Sequence, residues 1–102
     1  MNKSEIINII AEGTGLTKLE TAAVIDAFLA TLSYALASDE RVELRRFGSF
    51  ILKNRKPKIG RNPKTGVEIF IPARKVPVFK PSPELRRYIE EGLEEKRGEF
   101  DA

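Results

Sequence analysis

The sequence contains no cysteine, histidine or tryptophan among its 102 residues. The lack of cysteine and histidine excludes disulfides, thiolate catalysis, imidazole acid–base chemistry and most zinc sites. The residues after Met1 do not resemble a signal peptide, and we expect no apolar run of membrane-spanning length and no membrane partner. The absence of cysteine suits a reducing cytoplasm. The absence of both cysteine and histidine disfavours an enzyme.

Positive charge is concentrated in the middle third of the chain. Residues 46–80 contain ten Lys and Arg and one acidic residue, Glu68, whereas residues 1–45 and 81–102 each carry a net charge of −3. Such a concentration is typical of nucleic-acid binding. A charge run is more often a solvated surface, but this one falls on a predicted hairpin with few residues that could form a core. We therefore prefer polyanion binding.

That hairpin, residues 53–76, reads as two strands that meet at a turn over residues 61–66. Pro63 pre-sets φ for the turn, and Gly66 supplies the positive φ that often closes one. A hairpin this long and this basic cannot pack on its own monomer. We interpret it as an arm that reaches out to a polyanion, and a duplex held by two arms is the leading hypothesis. The basic residues of the two strands and the turn are Lys53, Arg55, Lys56, Lys58, Arg61, Lys64, Arg74 and Lys75.

Two helices precede the basic segment. Asn2 with Glu5, and Thr17 with Glu20, have capping-box spacing. They predict a short helix that ends at the Gly13–Gly15 turn and a second helix over about residues 18–37. The second helix is apolar on more than one side, which favours a second copy of the chain as its cover. A helix-turn-helix reader of DNA is disfavoured, because the second helix has one basic residue and an apolar surface.

Alternating apolar and polar residues predict a strand at residues 41–45, a bulge or turn at 46–48, and a second strand that runs into the arm. The returning strand contains prolines, which indicate an edge position. Ser82 and Pro83 suit the start of a last helix, which we expect to end at about Glu91, with Gly92 weakening or ending it. The predicted fold class is α+β: an N-terminal helical hairpin, an antiparallel three-stranded sheet extended into the arm, and a short C-terminal helix.

Three segments in this order of elements closely resemble one known family. FGSF at residues 47–50, GRNPKTG at 60–66 and VPVFKP at 76–81 are similar to the bacterial histone-like HU and integration host factor family. The resemblance covers about residues 1–91 and implies an intertwined dimer, whose two-helix bases form the body and whose two β-arms wrap the minor groove. It also implies that Pro63 at each tip wedges between base pairs, as this family is known to do. From the residues alone, Pro63 is equally well explained as a turn former.

The resemblance and the charge pattern define two sets of expected functional residues, with no catalytic residue, metal ligand or cofactor site. Arg61 and Asn62 can donate to minor-groove acceptors, and the flanking cations can neutralise phosphates. The expected DNA-binding residues are Lys3, Arg45, Arg46, Lys53, Arg55, Lys56, Lys58, Arg61, Asn62, Pro63, Lys64, Thr65, Arg74, Lys75, Lys80 and Ser82. The expected dimer core, where the phenylalanines pack rather than stack on bases, is Phe28, Leu29, Leu32, Leu36, Leu44, Phe47, Phe50 and Phe79.

We therefore expect an architectural protein that bends, wraps and compacts duplex DNA with little sequence specificity, as a homodimer, in the cytoplasm at the nucleoid. The DNA-binding domain is predicted over residues 1–92, and residues 93–102 form a charged tail that we expect to be flexible. One departure is Arg46, at a position that is usually small in the family.

Several alternatives remain at this point. Glu43, Arg45 and the FKP ending at residues 79–81 are more similar to integration host factor. A site-preferring bending subunit is therefore the alternative, and a heterodimer with a paralogue is also open. A nuclease is disfavoured, because Asp26 is isolated and Glu43 lacks a partner carboxylate at metal-binding spacing. A sheet-based RNA binder should expose strand aromatics for stacking, yet Tyr34 and Tyr88 lie on predicted helices and only Phe70 is placed in the arm.

Overall fold

The chain consists of two compact units, residues 1–38 and residues 39–102. The computed structural model describes the backbone of residues 1–101 and the side chains of residues 1–96. The first unit is helical, and the second contains all of the β structure and the last helix. The predicted arm therefore belongs to the second unit.

Two capped helices form the first unit: α1, Lys3–Thr14, and α2, Lys18–Ala37. The Asn2 side chain accepts a hydrogen bond from the Glu5 amide at 3.0 Å, and α1 ends at Gly15, whose φ of 78° is left-handed. Thr17 and the N3 glutamate of α2 form a reciprocal capping box. The predicted boundaries of both helices are therefore confirmed, because side-chain caps satisfy the backbone groups that a helix end leaves unpaired.

This helical unit has almost no core of its own. Among the described side chains of the whole chain, Ala11 is the only buried hydrophobic residue and Thr21 the only buried polar one. Along α2, Val24 is 64% exposed, Phe28 47% and Leu29 43%. An apolar surface of this extent on a soluble protein marks an interaction site.

The expectation that no segment reaches membrane-spanning length was wrong, because α2 is long and apolar enough by length and composition to cross a bilayer. Core helices of soluble proteins meet the same criterion. Asp26 lies in the middle of α2 and pairs with Lys3 at 2.6 Å on an exposed surface. A carboxylate at that depth would be costly in hydrocarbon, so a protein partner is the better explanation of the apolar surface.

The second unit contains two antiparallel sheets. The body sheet has three strands in the order β1-β2-β5, and a two-stranded sheet, β3-β4, continues as the arm. The body sheet with its projecting arm is the arrangement that the sequence predicts. Because β5 is an edge strand, Pro77 needs no ladder partner on its outer side. The strand bounds are β1 Val42–Leu44, β2 Gly48–Arg55, β3 Lys58–Arg61, β4 Glu68–Ile71 and β5 Arg74–Pro81.

Three phenylalanines pack together on one face of the body sheet. The ring centroid of Phe79 lies 5.4 Å from that of Phe47 and 4.9 Å from that of Phe50. Gly48 permits this packing, because a Cβ there would lie 2.5 Å from the Lys80 carbonyl oxygen and 2.6 Å from the Phe79 ring. The strand therefore begins at this glycine, earlier than the alternation of side chains suggested.

The last helix, α3, spans Pro83–Asp101 and is not the short helix that the sequence suggested. It does not end at Gly92, which lies within the helix and has no positive φ. A glycine costs about 1 kcal/mol in a helix interior, but the good helix formers that follow it, from Leu93 onward, offset that cost. The predicted tail thus continues α3 as far as the described backbone extends; its flexibility stays a prediction, and its last residue lies outside the described part.

Candidate nucleic-acid interface

The register of β2 and β5 arranges cations on both faces of the arm base. Arg55 is directly opposite Arg74, and Lys53 is opposite Val76. Side chains alternate along a strand, so Lys75 lies on the other face from these residues. Like charges directly opposite each other destabilise a sheet. The Arg55–Arg74 pair is therefore a cost to the free protein that a bound polyanion would relieve.

The arm is interrupted where the two sheets meet. Lys56 and Pro57 separate β2 from β3, while Pro72 and Ala73 separate β4 from β5. The two prolines lack the amide that a ladder requires, so the pairing stops on both strands at the same level. Clefts of about 530 and 230 Å³ lie at this break. Their lining includes the cations Arg55, Lys56, Lys58, Arg74 and Lys75.

At the tip, Asn62 organises a tight turn. The Gly66 amide donates to the Asn62 carbonyl at 2.8 Å, and the Lys64 amide donates to the Asn62 side-chain oxygen at 2.8 Å. Gly66 has a φ of 71°, as predicted. Pro63 is exposed at the apex of this turn. Because the asparagine oxygen is used within the turn, its NH2 group is what the side chain offers to a ligand.

Two of the expected DNA-binding cations on this unit form ion pairs. Arg61 lies 3.5 Å from Glu68 across the arm, and Lys75 lies 2.7 Å from Asp39. Both pairs are largely exposed, and exposed pairs contribute little to stability, so a phosphate could replace the carboxylate. In the described part of the chain, no other cation of the arm is in an ion pair.

The remaining predicted site residues lie away from the arm. Arg45 and Arg46 are in the β1–β2 turn, at the other end of β2, and Lys80 is near the end of β5. The Ser82 hydroxyl accepts from the Leu85 amide at 3.0 Å and donates to the Arg46 carbonyl at 2.8 Å, so it caps α3. Lys3 belongs to the helical unit and is not in the same unit as the arm. A DNA contact by Ser82 or by Lys3 stays a prediction.

The arm also has an apolar component, which is larger than expected from the sequence. Ile59 is 70% exposed and Phe70 68%, and these two residues are paired across the arm. Val67 and Ile69 are also exposed. The signal was present in the sequence, because a hairpin that cannot pack on its own monomer must leave its apolar residues in solvent. Among these residues, the sequence-based argument singles out only Phe70, as the one aromatic residue in the arm.

The expected dimer-core residues are incompletely covered in a single chain. Phe28, Leu29, Phe47 and Phe79 are exposed, and Leu32, Leu36, Leu44 and Phe50 are half-buried. Across the described residues, no group of three or more potential ligand side chains is placed to hold a metal ion. The arm therefore offers a basic and apolar surface.

Comparison with known proteins agrees with this geometry. A family model described as bacterial DNA-binding protein matches residues 1–90. The DNA-binding protein HU of Geobacillus stearothermophilus is 44% identical over 86 residues, which cover 84% of this chain and 96% of that protein. HU of Staphylococcus aureus strain COL is 45% identical over the same length, with the same coverage. The Anabaena HU–DNA cocrystal structure superposes with a TM-score of 0.83 at 40% identity, covering 87% of this chain and 97% of that chain.

The chain belongs to the bacterial DNA-binding protein family, the family of HU and integration host factor. The resemblance in the sequence is thereby confirmed, as are the α+β fold and architectural DNA binding as the function. Members of this family are architectural proteins rather than enzymes. Because these relatives are HU proteins, the alternative of a site-preferring integration-host-factor-like subunit is not favoured. The family model matches only as far as residue 90, so the last 11 residues of α3, about three turns, lie outside the matched part.

Proposed function

We propose that this protein bends and compacts duplex DNA as a homodimer, with each β-arm in the minor groove and Pro63 as a wedge at its tip. The observation that carries the proposal is the arm itself. It is a paired hairpin with an exposed proline at its apex and exposed cations along its length. Within the described residues, most of the arm's side chains are exposed, so they are available to a partner.

The chemistry of the arm matches the minor groove. Asn62 and Arg61 offer N–H donors, and the minor groove presents base acceptors on both kinds of base pair. The exposed side chains of Ile59 and Phe70 can contact sugars, which offer no hydrogen-bonding partner on their carbon faces. Lys58 and Lys64 lie beside these groups and can neutralise phosphates. Such contacts position the protein with little sequence information.

A wedge at Pro63 accounts for the bending. A proline ring is rigid and apolar, and it has no amide that must be desolvated on insertion. Unstacking one base step costs on the order of a few kcal/mol, which must be offset by the contacts that the bent DNA gains. The cations at the arm base supply those contacts. This mechanism favours nicked or flexible DNA, for which the deformation costs less.

Two arms require two chains, and the helical unit provides the reason for pairing. A single chain leaves the apolar surface of α2 exposed to water. Burial of this surface against a second chain would stabilise an obligate dimer. A homodimer is the simplest such assembly. A heterodimer is the alternative, and mixing the chain with a paralogue would reveal it. Binding of this kind places the protein at the bacterial nucleoid in the cytoplasm.

The test is a titration of purified protein against random, nicked and curved duplexes over a range of salt concentrations, with the dimer state measured in the same buffer. We expect log K to fall linearly with log salt, by about 0.9 for each phosphate contact. Lys58→Ala should lower the slope by roughly two for a dimer, one for each arm. Lys18→Ala, which removes a cation from the start of α2, is the matched control and should leave the slope unchanged. A weaker Lys58→Ala variant with the wild-type slope would show that the residue acts through folding.

A further inference from the structure

Helix α2 carries a second apolar stripe, separate from the expected dimer core. Leu19 is 83% exposed and Tyr34 is 76% exposed, and three exposed alanines lie between them at helical spacing. We call this set the outer stripe; its members are Leu19, Ala23, Ala27, Ala30 and Tyr34. A helix of a soluble protein normally has charged or polar residues on the side away from its core, so an apolar outer side needs an explanation.

The outer stripe lies on the side of α2 that the expected dimer core does not use. Ala27 and Leu36 are about two and a half turns apart, so they lie on opposite sides of the helix. Ile25, Leu32 and Leu36 are half-buried already in a single chain, whereas every member of the outer stripe is exposed. A dimer that buries the core side of α2 therefore leaves the outer stripe in water.

The charges on α2 do not favour a charged partner. The helix has three charged residues, Lys18, Glu20 and Asp26. Lys18 and Glu20 are in its first turn, and Asp26 is neutralised by Lys3 at 2.6 Å. Because the stripe itself is uncharged, it offers a duplex no cation for its phosphates and offers a charged protein no complementary group. An uncharged apolar surface is the partner that fits, and the outer stripe of another copy is such a surface.

The outer stripe is self-complementary when two α2 helices pack antiparallel. A two-fold axis between residues 26 and 27 would place Leu19 of one helix beside Tyr34 of the other, and Ala23 beside Ala30. The large side chains would then meet at two ends that are about 22 Å apart. The alanines would meet in the middle, where small side chains permit an interaxial distance of about 8 Å.

We propose that the outer stripe is a contact between dimers, through which two dimers of this chain associate. The contact would extend an apolar helix whose other side belongs to the expected dimer core. One helix face is a small interface, roughly below the 1,200 Å² of a stable complex, so we expect a dissociation constant on the order of 100 μM. Each dimer has its own arms, so joined dimers would hold two stretches of DNA. That consequence rests on the DNA binding proposed above.

The first experiment measures the mass of the protein by sedimentation equilibrium between about 1 and about 500 μM. The wild type should change from dimer to tetramer over this range. Ala23→Glu and Ala30→Lys should each weaken the association about tenfold or more, because each buries an unpaired charge in the contact. The double variant should restore it, because the antiparallel register places each new carboxylate beside a new ammonium group.

Lys18→Ala is the matched control for Ala23→Glu. It also makes each chain more negative by one charge, but it lies outside the outer stripe, so it should associate as the wild type does. The substituted alanines are exposed in the single chain. Each variant should therefore remain a dimer at low concentration and unfold near the wild-type midpoint.

The second experiment tests whether associated dimers join two duplexes. Bead-bound duplex is saturated with protein and mixed with a labelled duplex in solution. The wild type and the double variant should retain the labelled duplex, whereas Ala23→Glu should retain much less of it. Direct binding of a single duplex should be similar for the wild type and the double variant, because their net charges are equal.

Two results would overturn the contact between dimers. One is a dimer mass for the wild type at every concentration; if phosphatidylcholine vesicles then bound the wild type but not Ala23→Glu, the outer stripe would face a bilayer instead. The other is tetramer formation by both single variants at the wild-type concentration. A wild-type tetramer that binds no duplex would overturn the proposed function and leave the contact standing.

Discussion

The helical unit and the arm both expose apolar side chains, but they differ in charge. Residues 1–38 carry two basic and four acidic residues, whereas the arm, residues 53–76, carries eight basic residues and one acidic residue. Phe28 on α2 and Phe70 on the arm are both large and exposed. The same kind of side chain is therefore offered to two different partners, and the charge around it distinguishes them.

The difference shows why exposure alone does not identify a partner. An apolar surface without positive charge suits a second copy of the same chain, because the dimer buries it and pairs few charges. An apolar surface among cations suits DNA, because the phosphates are neutralised while the sugars and stacked bases accept apolar contact. If this distinction holds, substitutions on the two surfaces must affect different measurements.

The largest expected effect is on the helical unit. Leu29→Ala should lower the stability of the folded dimer by about 2 to 5 kcal/mol per protomer, if dimerisation buries this half-covered side chain fully. The measurement is thermal unfolding over a hundredfold range of protein concentration, in which the wild-type midpoint should rise with concentration. A concentration-independent midpoint and a monomer mass in sedimentation would contradict the dimer.

The same helix provides the control. Leu19 is 83% exposed and is not among the expected core residues, so Leu19→Ala should change stability by less than about 0.5 kcal/mol. DNA binding by this variant should keep the wild-type salt dependence. Equal and small effects of the two substitutions would mean that α2 has no partner surface at Leu29.

The sequence predicted the capped helices and the arm well, because both depend on local chemistry. The caps at Asn2 and Thr17, and the positive φ at Gly66, follow from side chains within a few residues of each boundary. Gly92 failed as a signal for the end of α3, since a glycine ends a helix only where the chain turns left-handed. The helix formers that follow Gly92, from Leu93 onward, are the sequence signal that the helix continues.

Features that depend on distant residues were not predictable from the sequence. Gly48 begins β2 because Lys80 and Phe79 lie close across the sheet, and this closeness is a result of folding. The left-handed backbone of Arg46, with a φ of 70°, likewise depends on the turn that Ser82 anchors from a point 36 residues away. The apolar residues of the arm are different, because the sequence already implies their exposure and the paired hairpin shows it.

The next prediction concerns the arm tip, where the effect is on bending rather than on stability. Pro63→Ala removes the rigid ring and leaves every arm cation in place. We expect a variant that still binds with a steep salt dependence, bends the duplex less, and loses much of the preference for nicked DNA. Energy transfer between labels at the two ends of a short duplex, at saturating protein, measures the bend.

Lys64→Ala is the matched control for Pro63→Ala. It changes a neighbouring residue of the same turn and should reduce the salt slope while leaving the bend at saturation unchanged. Equal compaction of the duplex by the wild type and Pro63→Ala would mean that phosphate neutralisation along the body bends the DNA. In that case the wedge assignment should be abandoned.

The smallest expected effect concerns the extension of α3. Residues 93–102 contain four acidic and two basic residues, so deleting them makes each protomer more positive by two charges. The family model matches residues 1–90, so the deletion removes only residues outside that match. We expect DNA affinity to rise about twofold at low salt and to change little at high salt, because a distant repulsion is screened.

The full-length double variant Glu94→Gln, Glu95→Gln separates charge from structure, since it makes the same change of two charges and keeps the helix. If long-range repulsion is the cause, this variant and the deletion should raise the affinity equally at low salt. A rise that persists at high salt would instead indicate direct competition between the extension and DNA for the cations of the arm. A loss of affinity in the deletion alone, with a lower thermal midpoint, would show that the extension supports the fold, and the contrast between the acidic ends and the basic arm would then have no electrostatic role in binding.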